Sequence, residues 1–542
     1  MRQRKDRGRW GRGAKRALVL GVVVGALSAC DDLLEVDLPH LLTDEAISGA
    51  GTAETQVNSA IALYECGMAT FAWVALGHED VFESIAGVAG GAHIFRSTPV
   101  AGGCDQNSQD QSWFDQIMGA RAFISNDPAK FPGLSESLGE ANGVYDKMND
   151  GSFDLGSAGQ RLSAISAIYM ALSMQHFGEF YCEGALDGSN LVTDAQFRGW
   201  ALDWVDRAES HIGSFGDFAM PNGVAASARN MARAIRAQVL WAHGDLAGAA
   251  AEAQTVLTAD PGFNAYISRE GGQERRNKVY HAGNSAGFSG MLGINDWWRG
   301  TTNNRAPNPA TGQQWSDTIP FTGYIFLGIG PEGQTLETNG SVANMPVRWA
   351  QQQRDANEDP VSLGNLAVPD TRVEHIYKSI QGPEKREVVD KYKGDDEDIH
   401  LATWRELTLI RAEWENTTNN DQAAAIALIN ALRGASLPNI SGAYATSLIG
   451  DQATMRAVIL EERRRELYSE SARYWSTKIQ NTDLLWFPRR QGNTPFQGYI
   501  LFGGVRLQFP DDEYTLNSNL AAAGGLALRG TGCDANEAVI PG

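Results

Sequence analysis

Two adjacent tryptophans, Trp297 and Trp298, stand between Asn295-Asp296 and Arg299; Asn303, Asn304, Arg305, Gln313, Gln314 and Trp315 follow closely. In an extended segment neighbouring side chains face opposite sides, so at least one of the pair is expected at the surface or lining a pocket. Indole rings stack on the apolar faces of sugars, while Asn, Gln, Asp and Arg hydrogen-bond hydroxyl groups. A few polar groups over an aromatic floor is the design of a small-molecule site. The candidate ligand residues are therefore Asn295, Asp296, Trp297, Trp298, Arg299 and Trp315, with Trp113 and Tyr324 as lesser candidates. An opposing reading has the Trp pair plugging a seam between loops and helices, and the sequence leaves both open.

Catalytic chemistry has weaker support. Glu462, Glu466 and Glu470 recur at i, i+4 in ILEERRRELYSESAR. Like charges at that spacing cost an isolated helix roughly 0.2–0.5 kcal/mol per pair, so cations must offset them. A carboxylate pair could hydrolyse a glycosidic bond, but such pairs sit in clefts rather than along one helix. A structural ion network is the better reading. The acidic run Asp395-Asp396-Glu397-Asp398 offers oxygen ligands, yet lacks the alternating spacing of a calcium loop. A solvated turn is expected there. The nine histidines show no HExxH spacing and no P-loop occurs. No metal, no cofactor and no catalysis are expected.

The N-terminus carries the sharpest local signal. Eight basic residues lie in positions 1–16, and an apolar run from Ala17 to Leu27 ends in Leu27-Ser28-Ala29-Cys30. The run is too short to span a bilayer but fits a signal peptide. The four-residue string resembles the bacterial lipobox, whose Cys is lipidated. Residues 1–29 thus read as a signal peptide and 30–542 as the mature protein, anchored through Cys30. Removing 1–29 takes away eight of the 45 basic groups and one, Asp6, of the 65 acidic ones, leaving a formal charge of −27. Such a surface repels nucleic acid and anionic lipid, so the lipid would be the only membrane attachment. Asp31 and Asp32 are compatible with export to the cell surface. Cys66, Cys104, Cys182 and Cys533 then remain, an even number that suggests two disulfides in an exported protein. Three connectivities are possible. The nearest pair, Cys66–Cys104, is favoured, which leaves Cys182–Cys533.

These residues need a scaffold. The 43% apolar and 20% charged composition is that of a globular chain. Helical periodicity dominates 44–260 and 400–480, whereas 262–400 is rich in Gly, Asn, Gln and Pro. That middle stretch is expected to hold short strands, short helices and functional loops. Within 225–261, Met231, Ala234, Ile235, Val239 and Ala242 form one apolar stripe, with Gln238 the single break. Gly244-Asp245 makes a turn. Ala249, Ala250, Ala253, Val256 and Leu257 form the second stripe, stopped at Asp260-Pro261. This unit resembles a tetratricopeptide (TPR) repeat. A second hairpin runs from Trp404 to Pro438. Further helices are expected at 52–70, 109–125, 158–178, 194–213 and 451–475. TPR hairpins stack, but the central loops are expected to interrupt the array.

Six segments, in order, resemble the SusD/RagB family of nutrient-binding lipoproteins. They are Asp31–Ile47; the 161–184 helix, read as ending in an aromatic-Gly-acidic turn; Asp370-Thr371-Arg372; the 404–438 hairpin; Ile459–Arg473; and Phe509-Pro510-Asp511-Asp512-Glu513 with Asn517. The fifth departs from the family pattern only at Ser471, where the family has Gly. Beyond it, Tyr474-Trp475-Ser476-Thr477 replaces the usual Asp-Leu, and the end from Cys533 onward lacks the usual tail, which puts the C-terminal packing in doubt. The resemblance implies a mostly α fold of interrupted TPR-like hairpins with a loop-rich ligand face. It also implies an outer-membrane lipoprotein facing the cell exterior that captures a glycan or oligosaccharide. The partner would be a SusC-like TonB-dependent barrel. The rival reading is a TPR-type protein-interaction lipoprotein without a small ligand.

Overall fold

The computed structural model describes residues 49–79, 81–84, 113–127, 130–131, 143–186, 188–271, 275–284, 292–294, 372, 375–381, 384–436, 451–481, 505–507 and 509–533. The chain divides into two compact units, Met1–Thr52 and Ala53–Gly542. Among the described residues of the first, the short turn Ala50–Thr52 is an assigned element.

The second unit is mostly helical, as the sequence periodicity requires. Its helices are α1 (Ala53–His78), α2 (Trp113–Ile124), α3 (Val144–Asn149), α4 (Gly156–Phe180), α5 (Asp194–Phe215), α6 (Ala228–Ala242), α7 (Leu246–Ala259), α8 (Lys278–Asn284), α9 (Trp404–Thr417), α10 (Gln422–Ser436), α11 (Gln452–Glu466), α12 (Arg473–Gln480), α13 (Asp511–Leu516) and α14 (Ser518–Ala523). The strands are β1 (Phe82–Ser84), β2 (Glu183–Gly184), β3 (Val192–Thr193), β4 (Asn264–Ile267), β5 (Leu292–Ile294), β6 (His375–Gln381), β7 (Glu384–Val389) and β8 (Ile399–Thr403). Among the described residues they form four separate antiparallel pairs, β1–β5, β2–β3, β4–β8 and β6–β7. By length and composition Ala50–His78 could cross a bilayer, but 83% of its most apolar window is buried within the protein, so α1 is a core helix.

The hairpin periodicity is realised residue by residue. In α6 the stripe residues Met231, Ala234, Ile235, Val239 and Ala242 are all buried, and in α7 so are Ala249, Ala250, Ala253 and Val256. Leu257 is half-buried. Ser227 caps α6 by accepting the Asn230 N–H at 3.0 Å, and Asp245 caps α7 by accepting that of Gly248 at 2.9 Å. Between them Gly244 takes φ +85°, a conformation that glycine adopts without steric cost. α9 and α10 form the second hairpin. They close with α11 over a core of Leu409, Ala412, Ala425, Ile426, Ile429, Leu432, Met455, Val458 and Ile459.

The array is interrupted in sequence by residues 268–398, as expected, but its hairpins are contiguous in space. α4 packs on α5, α5 and α4 on α6, α6 on α7, α7 on α9 and α9 on both α10 and α11. Continuity is possible because β4 pairs with β8, bringing Asn264 opposite Thr403 and Ile267 opposite Ile399. The two ends of the 268–398 excursion therefore meet at one point. The Trp404 N–H donates to the Phe263 carbonyl at 2.7 Å, so the second hairpin starts where the first one left off.

Two expectations fail. The 451–475 helix is broken: α11 ends at Glu466 and α12 starts at Arg473. Phe177-Gly178-Glu179 is not a turn but the last part of α4, which runs on to Phe180. A Cβ on Gly178 would stand 3.1 Å from that of Phe197, so the glycine serves the close approach of α4 to α5.

The C-terminal segment is clasped to the end of α4. Cys182 and Cys533 form a disulfide with Cα atoms 5.1 Å apart. The Glu183 carboxylate accepts the Tyr514 hydroxyl and the backbone N–H groups of Gly530 and Gly532, at 2.5–2.6 Å. Asn517, of the sixth resembling segment, caps α14 and donates to the Ser189 carbonyl. Cys66, in α1, is disulfide-bonded too; Cys104 and Cys30 lie outside the described residues.

Candidate functional site

A closed ring of side chains ties four helices together. Gln175 and Glu179 come from α4, Gln238 from α6, Glu406 from α9 and Arg473 from α12. Arg473 Nη1 lies 2.9 and 2.8 Å from the Glu179 oxygens, and its Nε donates to Glu406 at 2.9 Å. Gln238 Nε2 donates to the other Glu406 oxygen at 2.7 Å and to the Leu401 carbonyl at 3.1 Å. Gln175 Nε2 closes the ring, 3.1 Å from Gln238 Oε1 and 3.4 Å from Glu179. The Ser476 hydroxyl adds a donor to Glu179. Burial opposes the charge on Arg473, but the two carboxylates outweigh it and its pKa rises. The break in the α6 stripe is thus the residue that joins the first hairpin to the second.

A second buried network lies along α11. Arg372 Nη1 bridges Glu462 at 2.7 Å and Glu466 at 2.6 Å. Arg433 reaches Glu462 at 2.6 Å, Arg405 reaches Glu470 at 2.7 Å and Glu466 at 3.4 Å, and Lys391 reaches Glu470 at 2.6 Å. The Arg of the Asp370-Thr371-Arg372 element is therefore a counter-ion of the Glu stripe. Burial pushes the Glu462 carboxyl up, but Arg372, Arg433 and Arg465 pull it down further, to about 2. Lys391 and Arg405 overcome the burial of Glu470 in the same way, again to about 2. For Glu466 burial wins and the pKa is raised. Glu462, Glu466 and Glu470 are 0%, 2% and 1% exposed, so no glycan could reach them. The stripe is an ion network, not a hydrolase pair.

Glu470 sits in the turn between α11 and α12, where Ser469, Ser471 and Ala472 all have positive φ, +59°, +42° and +65°. Such backbone costs an L-residue roughly 1–2 kcal/mol, which explains why the family pattern has Gly at the position of Ser471. The turn is pinned from the far end of the excursion. Tyr392 donates to the Ser469 carbonyl at 3.1 Å, Lys391 Nζ to that of Tyr468 at 2.7 Å, and the Ser471 hydroxyl to the His400 carbonyl.

Of the sequence-derived ligand candidates, only Trp113 is described, and it belongs to the core. It is 0% exposed, donates Nε1–H to the Tyr181 hydroxyl at 3.1 Å and packs 6.0 Å from the Phe71 ring. The apolar face of α2 had to point inward, and Trp113 is on it. Asn295, Asp296, Trp297, Trp298, Arg299, Trp315 and Tyr324 lie outside the described residues. The described chain before them ends in β5, whose Ile294 pairs with Phe82 of β1 and which packs beside β7 and α8.

The acidic run is used by the backbone. Asp398 accepts the Arg269 N–H at 2.6 Å, Glu397 accepts that of Lys393, and the Asp395 carbonyl accepts that of Asn277. Among the described residues no cluster of His, Cys, Asp and Glu is arranged to hold a metal. Gly283-Asn284-Ser285-Ala286-Gly287 has the GxSxG spacing of a hydrolase elbow, which needs a strand leading into the Ser. Lys278–Asn284, which leads into that Ser, is helical rather than a strand, and Ser285 lies outside the described residues.

Comparison with known proteins agrees with this architecture. Residues 375–478 match the model of the SusD family. A SusD-like carbohydrate binding protein from Bacteroides vulgatus shares the fold at TM-score 0.55 and 12% identity, covering 88% of this chain and 98% of that one. A SusD homolog from Bacteroides thetaiotaomicron does so at TM-score 0.52 and 11% identity, covering 87% and 96%. No curated protein matches the sequence. The family match spans the α9–α10 hairpin and the Glu stripe, and the SusD-like structures share the fold of the chain.

Proposed function

We propose that this chain is a non-catalytic, lipid-anchored protein of the outer membrane. It captures a glycan or oligosaccharide at the cell surface and hands it to a SusC-like TonB-dependent barrel. The observation that carries this reading is the SusD-family match at 375–478, on a chain whose fold follows a SusD-like carbohydrate binding protein over 88% of its length. The lipobox-like Leu27-Ser28-Ala29-Cys30 supports the anchor. The burial and ion pairing of the Glu462, Glu466 and Glu470 carboxylates support binding over hydrolysis. The ligand surface is assigned to the central excursion, around Asn295–Arg299, Trp315 and Tyr324, because loops rather than packing select residues there.

The test is a binding titration of the mature protein against a panel of oligosaccharides, with product analysis of each mixture. Saturable binding with the sugar recovered intact is expected. Cleavage of the sugar would overturn the non-catalytic reading, and failure to bind any glycan would overturn the ligand class. Replacing Cys30 by Ser is expected to release the protein from outer membranes. Sedimentation unchanged would sink the anchor.

A further inference from the structure

The ring of polar side chains borders a small, partly open cavity. Its wall includes Tyr64, Gln175, His176, Glu179, Gln238 and Arg473. Neither ring nitrogen of His176 has a hydrogen-bond partner, although the residue is only 2% exposed. The Arg473 Nη2 group, on the same wall, also lacks a well-formed hydrogen bond, in spite of standing 2.8 Å from Glu406. Buried polar atoms left unpaired cost roughly 1–3 kcal/mol each. Two such groups on residues that line one cavity call for a third party.

We propose that this cavity is a specific hydration site, holding an ordered water that bridges His176 on α4 to Arg473 on α12. The space suits about one water molecule, and such sites need two to four polar partners. The surroundings supply them: the imidazole, the guanidinium, and the Glu179 and Gln175 side chains. A larger polar ligand has no room, and an apolar one would leave both groups unpaired. The imidazole is neutral, because burial pushes its pKa down to about 3. It therefore has one nitrogen to donate and one to accept. The imidazole and the Phe71 ring stand T-shaped, with centroids 4.4 Å apart at 82°. The water then completes the ring network and joins α12 to the core helix α4 by a second route, besides the direct Arg473–Glu179 pair.

A crystal structure of the mature protein, at a resolution that shows ordered solvent, tests this directly. A density peak within about 3 Å of a His176 ring nitrogen is expected. A cavity without density would overturn the proposal. An independent arm replaces His176 by Phe. If the site is dry, this removes two orphaned nitrogens and fills space, so the melting temperature rises. If the site is hydrated, the change expels the water and removes the bridge between His176 and Arg473, so the melting temperature falls by several degrees. A fall is expected, and a rise would overturn the proposal.

Discussion

Gln238 of α6 donates its side-chain amide to Glu406 of α9 at 2.7 Å, across 168 residues of sequence. It is the one polar residue in an otherwise apolar stripe, and it is 1% exposed. Gln238→Leu would perfect the amphipathic pattern of α6 and yet should destabilise the protein, because Glu406 and Gln175 lose a buried partner. A loss of about 1–3 kcal/mol is expected, read by urea denaturation. A stabilised variant would mean that the ring contributes nothing to the joint between hairpins.

That break was legible in the sequence, but its meaning was not. Periodicity is local, and it located the stripes of α6 and α7 and the hairpin of α9 and α10. The partner of Gln238 depends on the β4–β8 pairing, which closes a long excursion and has no periodic signature in strands of four and five residues. The same limit hid Glu179. Next to Phe177-Gly178 it reads as part of a turn, and only the approach of α5 to Gly178 shows why a glycine stands inside a helix. The end of α11 was hidden for the opposite reason. Ser471 and Ala472 carry no glycine signal, so a left-handed turn held by tertiary contacts reads as continuing helix. Trp113 is ambiguous in sequence because a large aromatic with a polar edge suits both a core and a sugar platform. The ligand candidates from Asn295 to Arg299 rest on composition, which gives a residue's chemistry without its neighbours.

Arg372 is the second prediction. Arg372→Met leaves Glu462 and Glu466 buried with fewer counter-ions, and removing one partner of a buried pair typically costs about 3–5 kcal/mol. The sign of the pH dependence follows from Glu462. Its folded pKa, about 2, lies below the ordinary 4.5, so its contribution is present above pH 4.5 and is lost as pH falls towards 2. The stability gap between the parent and Arg372→Met should therefore narrow between pH 5 and pH 3, as judged by thermal melts. A gap that stays constant would show that the charge pairing is incidental.

Glu79 predicts the opposite slope. It is fully buried, and desolvation raises its carboxyl to about 8, against the Trp475 N–H at 3.2 Å and nearby Lys478. Between pH 4.5 and 8 the folded state holds a proton that the unfolded state has released, so stability falls as pH rises through that window. Glu79→Gln cannot ionise and keeps an acceptor for Trp475. It should flatten the decline, with its largest advantage over the parent near pH 9. Parallel stability curves for the two proteins would rule out a protonated Glu79.

Ser469 offers a stabilising substitution. Its φ is +59°, it is 1% exposed, and its hydroxyl has no hydrogen-bond partner. Ser469→Gly relieves the left-handed strain and removes the unpaired hydroxyl, against a glycine entropy cost of about 0.5–1 kcal/mol. A net gain of about 1 kcal/mol is expected, without change in the Tyr392 bond to the backbone carbonyl. If denaturant midpoints show a loss, the turn is not strained as its dihedral angles indicate.

The Trp297-Trp298 pair decides where the ligand binds. Losing a buried core tryptophan typically costs about 3–5 kcal/mol, a large share of a total near 5–15 kcal/mol. Trp113 illustrates that case: sealed at 0% exposure among Phe71 and Tyr181, its replacement by Ala should lower the melting temperature strongly. A stacking tryptophan on a loop face behaves differently, since its removal takes away ligand contact and little packing. Replacing Trp297 and Trp298 together by Ala should therefore leave the melt nearly unchanged and weaken oligosaccharide binding, with Trp113→Ala as the contrasting control. A large fall in melting temperature would make the pair core residues. The ligand surface would then be sought at Trp315 and Tyr324. An unchanged melt with undiminished binding would also remove the pair from the site, this time as bystanders on the loop face.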